Sequence, residues 1–357
     1  MISASTSRRR AAALAAVLAL TVSACSSSEA SSGAGTTNAE APAQQQTGAS
    51  APASTEDGFV TPRTMPEGLG SGAPDGAFPR TVVHVAGETT IDSAPVSVAV
   101  ISTGQADALL TLGVVPAGST AADGAEMIPQ YLYDAFPDDA ADLDEVAPLG
   151  SRTEPNLEAL AALAPDLVVL NSAGKESAGL YETLSEIAPT VVTQGTGLYW
   201  KQDFLLLADA VGRTEQAQTW LDAYHADTEA FGETVEGDPT VSLLRTNGDR
   251  TRVFGVASFA GSVVEDSGLA RPESQAFTDE TSIDLSPEQL ALADADHLFY
   301  GVQGGDLTEL MSFPLWPSLE AVTDDRATPV DDDLFFLNTG PTAARGILSI
   351  LEETLAG

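Results

Sequence analysis

The sequence predicts an α/β protein with two Rossmann-like lobes, joined by a long backbone helix and separated by a ligand cleft. Apolar runs that suit strands alternate with helix-like segments in both halves of the chain, which is typical of parallel sheets covered by helices. A short pattern in the first half recurs 130 residues later. Between the halves lies a periodic stretch long enough for one extended helix.

The recurring pattern is Glu-x-Leu-Ala followed by an Asp and an apolar run. It starts at Glu158 in the first half and at Glu288 in the second, and its later acids are Asp166 and Asp296. Each copy is typical of a short helix leading into a buried strand. One αβ unit used twice indicates two similar lobes, each with an acidic residue at the equivalent place.

The first 24 residues have the order of a lipoprotein signal peptide. Three arginines precede an apolar stretch that is too short for a membrane span, and Val-Ser-Ala stands directly before Cys25. We expect Cys25 to be lipidated and to become the mature first residue. It is the only cysteine, so an internal disulfide is excluded.

Composition divides the rest of the chain. Residues 25–77 are rich in Ser, Ala, Gly and Pro with few large apolar side chains, which predicts a disordered tether. The remaining chain is long enough for two lobes with separate cores. We assign residues 78–200 to an N-terminal lobe, 201–234 to the backbone helix and 235–357 to a C-terminal lobe.

The N-terminal lobe alternates strands and helices. A helix start should follow the first strand at Ser102 to Gln105, the edge of a parallel sheet where α/β proteins bind ligands, so Gln105 is a candidate ligand contact. The predicted strands and helices are residues 96–101, 105–112, 156–163, 167–170, 180–187 and 190–192.

The middle of the chain is helical in pattern. An apolar stripe over 203–211 ends at Gly212, and Thr214 then begins a second helix through about Phe231. A helix of that length, placed between two αβ halves, acts as a rigid spine.

The C-terminal lobe begins with strands at 240–244 and 252–256, separated by the turn sequence Asn247-Gly248-Asp249. A helix near 287–292 and a strand at 297–300 follow. Further helices are predicted around 316–322 and over 342–355.

The formal net charge of −37 becomes −40 once the three leader arginines are removed, which makes nucleic acid an improbable partner. Neither a G-x-S-x-G elbow nor a phosphate loop occurs, so we predict no enzymatic activity, with a secreted hydrolase as the remote alternative. The three histidines are far apart in sequence, which argues against a His-rich metal site or a bound cofactor.

Arg245 is the main candidate for an anionic ligand, because it ends an apolar strand and a guanidinium binds oxygen anions with a fixed fork. Arg250 and Arg252 lie close by in sequence. The alternative is that all three pair with neighbouring surface acids.

Aromatic residues at predicted loop positions suit the wall of a cleft for a bulky ligand. The alternative is that they belong to the core. The candidates are Tyr199, Trp200, Phe259, Trp316, Phe335 and Phe336.

Several segments together resemble the substrate-binding lipoproteins of ABC importers for ferric siderophores, haem and cobalamin, of the helical-backbone type. The similarity covers 78–357. The most similar stretches are Phe78 to Val82, Gly104 to Leu110, Glu154 to Glu158, Pro165 to Val168, Pro314 to Trp316 and Gly340 to Ala344.

The resemblance implies two α/β lobes, a long connecting helix and a shallow cleft that closes only slightly. It also implies that Glu158 and Glu288 dock onto arginines of the permease; the alternative is that both are ordinary acids of a first helical turn. One departure is Phe335-Phe336, which stands where many relatives carry Tyr-Trp.

From this resemblance we expect a monomeric receptor, anchored by lipid to the outer face of the cytoplasmic membrane, that passes a ferric siderophore to an ABC permease. The chelator's own oxygens would hold the iron, so no protein metal ligands or cofactors are expected. A haem or cobalamin receptor is the alternative.

Overall fold

The computed structural model describes residues 59–122, 125–173 and 177–356. In that part of the chain the backbone forms two five-stranded sheets and one two-stranded sheet. The predicted signal peptide, Cys25 and the first part of the predicted tether lie outside the described residues. Among the described helices, none is both long and apolar enough to cross a membrane.

The N-terminal lobe is a fully parallel sheet with the strand order β5-β4-β3-β6-β7, and a small antiparallel hairpin of β1 and β2 precedes it. Helices join its successive strands, as the alternating pattern predicts. Its elements are β1 Arg80–His84, β2 Gly87–Ile91, β3 Val98–Ile101, α1 Gln105–Thr111, β4 Gly118–Ala121, α2 Gln130–Ala135, α3 Ala140–Leu143, β5 Ala147–Ser151, α4 Leu157–Leu163, β6 Leu167–Asn171, α5 Ser177–Ser185 and β7 Thr190–Thr193.

Two helices link the lobes. Helix α6 spans Trp200–Val211 and ends at Gly212, whose φ of 75° is the left-handed conformation that glycine adopts easily. Helix α7 then runs over Thr214–Gly232, 19 residues, or about 28 Å. The predicted break at Gly212 and the long connecting helix are confirmed.

The C-terminal lobe has the strand order β10-β9-β8-β11-β12, in which β8, β11 and β12 are parallel and the β8–β9 and β9–β10 pairs antiparallel. The predicted turn joins β8 to β9, with Gly248 at φ 58°. The elements are β8 Val241–Asn247, β9 Arg250–Phe254, α8 Phe259–Asp266, β10 Ser282–Leu285, β11 His297–Val302, α9 Thr308–Met311, α10 Glu320–Thr323, β12 Ala327–Pro329 and α11 Pro341–Leu355.

The short turns complete the chain path. The helix predicted near 287–292 is a 3-10 helix over Pro287–Ala293, between β10 and β11, and a π-helical turn over Asp333–Leu337 precedes α11. The other 3-10 helices are Pro137–Asp139, Gly197–Tyr199, Glu273–Gln275 and Trp316–Ser318.

The prediction of two separate cores is wrong, because the largest apolar cluster contains residues of both sheets. Val98 of β3 and Val241 of β8 belong to the same cluster, together with buried residues of α6, α8 and α11. Helix α6 packs against β1 and β7 of the N-terminal lobe, α8 packs against β8 of the C-terminal lobe, and α11 contacts both helices. Smaller clusters then fill each lobe by itself.

Asp107 on α1 reaches the start of α11 from the other end of the chain. Its carboxylate is 1% exposed and accepts the backbone N–H groups of Thr342 and Ala343 at 2.8 and 2.9 Å. Tyr131 donates its hydroxyl to the same carboxylate at 3.0 Å. Burial raises the pKa of Asp107, and these donors oppose that shift. A helix end that would otherwise be unsatisfied is thus capped by the N-terminal lobe.

The predicted tether ends earlier than residue 77. Thr61 is 1% exposed and donates its hydroxyl to Glu265, and Lys201 donates to the same hydroxyl. Gly70 forms a β-bridge with Val83. Polar contacts hold this segment together with two apolar side chains, Met65 and Leu69, which pack against the largest apolar cluster. Because few large apolar side chains are involved, its composition resembles that of a disordered chain.

Candidate functional site

A cavity of about 510 Å³ lies at the carboxyl ends of β11 and β12. The loops after these strands form most of its wall, and Glu126, from the loop after β4, lines it from the N-terminal lobe. The carboxyl ends of parallel strands are where α/β sheets bind ligands. The cavity is therefore the candidate ligand site between the two lobes.

A narrow gap adjoins this cavity, since Glu126 and Leu337 line both. Its other walls include the residues after β3, from Ser102 to Gly104, and Thr120 of β4. The cavity and the gap are therefore continuous from the carboxyl ends of β3 and β4 to the carboxyl ends of β11 and β12.

Arg245 lies near the end of β8 and is 5% exposed. Its Nε and Nη2 donate to the two carboxylate oxygens of Asp332, both at 2.7 Å. This bidentate ion pair cancels the charge of Arg245 and fixes its plane. A guanidinium has five N–H donors, so three remain for other acceptors.

The other two candidate arginines behave differently. Arg250 forms an exposed bidentate pair with Asp284, the outcome that the surface alternative predicts. Arg252 stands directly opposite Arg245 in the β8–β9 register, and its buried Nε has no hydrogen-bond partner among the described residues. Burial and then the charge of Arg245 lower the pKa of Arg252. The sequence alone did not show that Arg250 is exposed and paired whereas Arg252 is half-buried.

Phe336 packs over Gly301 of β11, which has no side chain to block it. Gly301 pairs with Arg245 in the β8–β11 register, and a Cβ at Gly301 would approach the Phe336 ring to 2.9 Å. The ring also contacts Phe254, with 5.1 Å between centroids. Phe336 is half-buried, so part of its ring remains accessible.

Four of the predicted wall residues lie instead in the core. Trp200 is 2% exposed, donates its indole N–H to Ser262 and packs edge-on against Phe259, which is 5% exposed. Trp316 is buried against Tyr300, and Phe335 is buried against Phe299. Their positions in loops or at helix starts suggested exposure. Trp200, Phe259 and Phe335 belong instead to the largest apolar cluster, and Trp316 belongs to a separate cluster of the C-terminal lobe.

Gln105 and Tyr199 have intermediate outcomes. The Gln105 amide is 7% exposed and is used internally: it accepts from Ser102 and donates to Thr193, which ties the ends of β3 and β7 together. Tyr199 is half-buried, and partial burial raises its pKa. A ligand contact by either side chain stays a prediction.

The acidic residues that line the cavity were not predicted from the sequence. Asp331, Asp332 and Asp333 follow β12 directly and line the cavity with Glu126. Desolvation, then the charges of the neighbouring carboxylates, raises the pKa of Asp333 to about 6. Three successive Asp residues after a predicted strand could have indicated this site. They did not stand out, because the whole chain is rich in Asp and Glu.

Glu158 and Glu288 are the acids of the repeated pattern. Each lies in the first turn of its helix, the α-helix α4 and the 3-10 helix Pro287–Ala293 respectively, and each is exposed. Neither carboxylate has an ion-pair or hydrogen-bond partner within the described segments. Both are therefore accessible to a partner protein.

No group of three or more His, Cys, Asp or Glu in the described part of the chain is arranged to hold a metal ion. His84 is buried and His225 is half-buried, and burial lowers the pKa of each to about 4. The histidines are therefore neutral near pH 7.

Comparison with known proteins gives a family match. A family model described as periplasmic binding protein matches residues 98–333. A probable siderophore-binding lipoprotein of Bacillus subtilis, YfiY, is 30% identical over 293 residues, which cover 76% of this chain and 86% of that protein. The Fe(3+) dicitrate-binding periplasmic protein FecB of Escherichia coli is 25% identical, with coverage of 76% and 88%.

Solved structures agree with the fold. Staphylococcus aureus SirA complexed with staphyloferrin B superposes with a TM-score of 0.67 and 26% identity, covering 77% of this chain and 98% of that chain. The prediction of two α/β lobes with a long connecting helix is confirmed, as is the resemblance drawn from the sequence.

Proposed function

The chain belongs to the periplasmic binding protein family, and we propose that it captures a ferric siderophore outside the cytoplasmic membrane and delivers it to an ABC permease. The observation that carries this proposal is the cavity at the carboxyl ends of β11 and β12, where the lining residue Asp332 holds Arg245 in a bidentate ion pair. Relatives of the chain are siderophore-binding and ferric citrate-binding proteins by name.

Arg245 would bind the cargo through the N–H groups that Asp332 leaves free. These donors suit the oxygen atoms with which a siderophore surrounds iron. Phe336 would contact the organic part of the complex, since an aromatic face buries apolar surface well. Tyr199 would add a second aromatic contact.

The chelator would supply every iron ligand in this proposal. Hard oxygen donors of the siderophore satisfy the ferric ion, so the protein needs only to recognise the outer surface of the complex. No cofactor and no turnover are part of the proposed role, in keeping with a family of substrate-binding proteins.

The remaining elements of the proposal concern the membrane. Cys25 would carry a lipid anchor on the outer face of the cytoplasmic membrane, and the monomeric receptor would meet the permease through Glu158 and Glu288. Support comes from the exposure of both glutamates, one on each lobe, and from relatives named as lipoprotein or periplasmic proteins.

A titration of tryptophan fluorescence with ferric hydroxamate, catecholate and citrate complexes tests the proposal. Saturable quenching by at least one complex, absent with the iron-free chelator, is expected. Absence of quenching by every complex would refute it. Haem or cobalamin in the purified protein, seen as a Soret or corrin absorbance band, would favour the alternative cargo instead.

A further inference from the structure

The walls of the cavity carry an excess of negative charge. Glu126, Asp331, Asp332 and Asp333 line it together. The ion pair with Arg245 neutralises Asp332 alone. Three carboxylates therefore face the cavity without a basic partner within the described residues, which is an unfavourable arrangement for an anionic ligand.

Asp333 shows that this charge is not compensated. The pKa of its carboxyl is raised to about 6, by desolvation first and then by Asp331, Asp332 and Glu126. Its Oδ1 is buried and has no hydrogen-bond partner in the described chain. A buried acceptor without a donor is costly, so a donor supplied by a ligand would stabilise it.

A second unpaired group lies in the adjoining gap. Thr120 is 3% exposed, and its buried hydroxyl has no hydrogen-bond partner among the residues described. The gap has about 10 Å³ of room, which is roughly the space that one water-sized group needs. Glu126 stands at the junction of the gap and the cavity. A primary ammonium group is small enough for this place, whereas a guanidinium is not.

A primary ammonium group also matches the chemistry of the walls. It has three N–H donors and no acceptor. Glu126 at the junction, Thr120 in the gap and the two aspartates 331 and 333 in the cavity all offer oxygen atoms that accept hydrogen bonds. Arg245, paired with Asp332, keeps three N–H donors for neutral oxygen ligands but contributes no uncompensated positive charge. The site thus favours a neutral iron core with a cationic arm.

We propose that Glu126, Asp331 and Asp333, with the Thr120 hydroxyl, form a subsite for a protonated primary amine of the cargo. This proposal rests on the proposed function and specifies its substrate class: ferric hydroxamate complexes with an ammonium arm, in preference to anionic complexes of the citrate type. Glu126 is the specificity-determining residue, because it borders both the gap and the cavity.

A matched pair of ligands tests the subsite. Ferrioxamine B has a neutral ferric trihydroxamate core and one protonated primary amine, and its N-acetylated derivative has the same core without that charge. We expect the full chain to bind ferrioxamine B about tenfold more tightly, the scale of one charge-assisted hydrogen bond. Ferric dicitrate should bind more weakly than either.

Two variants test which residues cause the preference for ferrioxamine B over its acetylated derivative. Glu126→Gln and Asp333→Asn should each lower the ratio of the two affinities, ferrioxamine B over its acetylated derivative, from about tenfold towards one. Glu182→Gln removes an exposed carboxylate on α5, which lines neither space, and should retain the preference. Because Glu126 is exposed, the Gln variant should fold normally, which a thermal melt checks.

The outcomes separate the two proposals. Equal affinity for the two ferrioxamines, tighter binding of ferric dicitrate, or equal losses for both ferrioxamines in Glu126→Gln would overturn the amine subsite while the receptor function stands. Failure to bind any ferric complex would overturn both. A preference for the amine that falls in Glu126→Gln and in Asp333→Asn but is retained in Glu182→Gln supports the subsite.

Discussion

Asp166 and Asp296 make the same contact in the two lobes. Asp166 precedes β6 and accepts the backbone N–H groups of residues 96 and 97 just before β3, each at 3.0 Å. Asp296 precedes β11 and accepts the N–H and the hydroxyl of Thr240 just before β8, at 2.9 and 2.8 Å. In each lobe the carboxylate thus secures the start of the neighbouring parallel strand.

Replacing either aspartate by alanine should destabilise the protein without affecting ligand binding. Each change removes two hydrogen bonds to a carboxylate at an exposed site, so we expect the free energy of unfolding to fall by about 1 kcal/mol. Urea denaturation measures the loss. Glu182→Ala, at an exposed site without such contacts, should change it by less than about 0.5 kcal/mol. Equal effects of all three variants would contradict the clamping role.

Arg245 and Asp332 should be energetically coupled. Arg245→Gln leaves a nearly buried carboxylate unpaired, and Asp332→Asn leaves a nearly buried guanidinium unpaired, so each should cost about 3 kcal/mol of stability. The double variant should lose clearly less than the sum, which a double-mutant cycle measures.

The matched control for this pair is Arg250→Gln. Its partner Asp284 is equally well aligned but lies in solvent, so no measurable loss of stability is expected. Arg245→Gln should in addition weaken ferric siderophore binding at least about tenfold. Unchanged affinity in a folded Arg245→Gln protein would remove Arg245 from the ligand site.

Charge reversal should separate docking from cargo binding. Glu158→Arg with Glu288→Arg is expected to abolish uptake of the ferric siderophore by cells. The introduced arginines would repel the permease arginines that the family resemblance implies. Affinity for the cargo, measured by fluorescence on the purified receptor, should stay unchanged. Glu182→Arg is the control for altered surface charge. A loss of cargo affinity, or normal uptake, would refute the docking role.

Asp203 should make stability depend on pH. Burial raises its pKa to about 7, although backbone N–H groups of Gln194 and Gly195 oppose the shift. Between about pH 4 and about pH 7 the folded protein binds a proton that the unfolded chain releases, so this group makes the free energy of unfolding decrease as pH rises.

The comparison of wild type with Asp203→Asn isolates this effect. His84 and His225 act in the opposite direction, since their lowered pKa values make stability rise with pH between about 4 and 6.5. We therefore expect the stability difference, wild type minus variant, to fall by at most about 1.4 kcal/mol per pH unit up to about pH 7 and to be constant above it. A difference independent of pH would contradict the raised pKa.

The sequence predicted the fold because the fold depends on local pattern. Alternation of strands and helices, the break at Gly212 and the repeat at Glu158 and Glu288 are all visible within short windows, and each has a counterpart in the structure. The shared core was not predictable in this way, because it depends on how α6 and α11 pack between two sheets.

The site was predictable only in part. Arg245 was predicted from its position at the end of an apolar run; it lies within β8, two residues before the end of the strand, and its contact with a ligand stays a prediction. The sequence did not show that Trp200 and Trp316 are buried rather than exposed in the cleft wall, because exposure depends on tertiary packing and not on sequence neighbours. The charge of the cavity depends on which of many acids meet there, and Glu126 comes from the other lobe.

The cap that Asp107 places on α11 has a consequence for delivery. Wide separation of the lobes would expose two backbone N–H groups and leave a buried carboxylate without these hydrogen bonds, so the cap opposes opening. If Glu158 and Glu288 dock onto a permease as proposed, we expect their spacing to stay nearly the same whether or not cargo is present. An empty receptor would then compete with a loaded one, and the rate of import should depend on the fraction of receptors that carry iron.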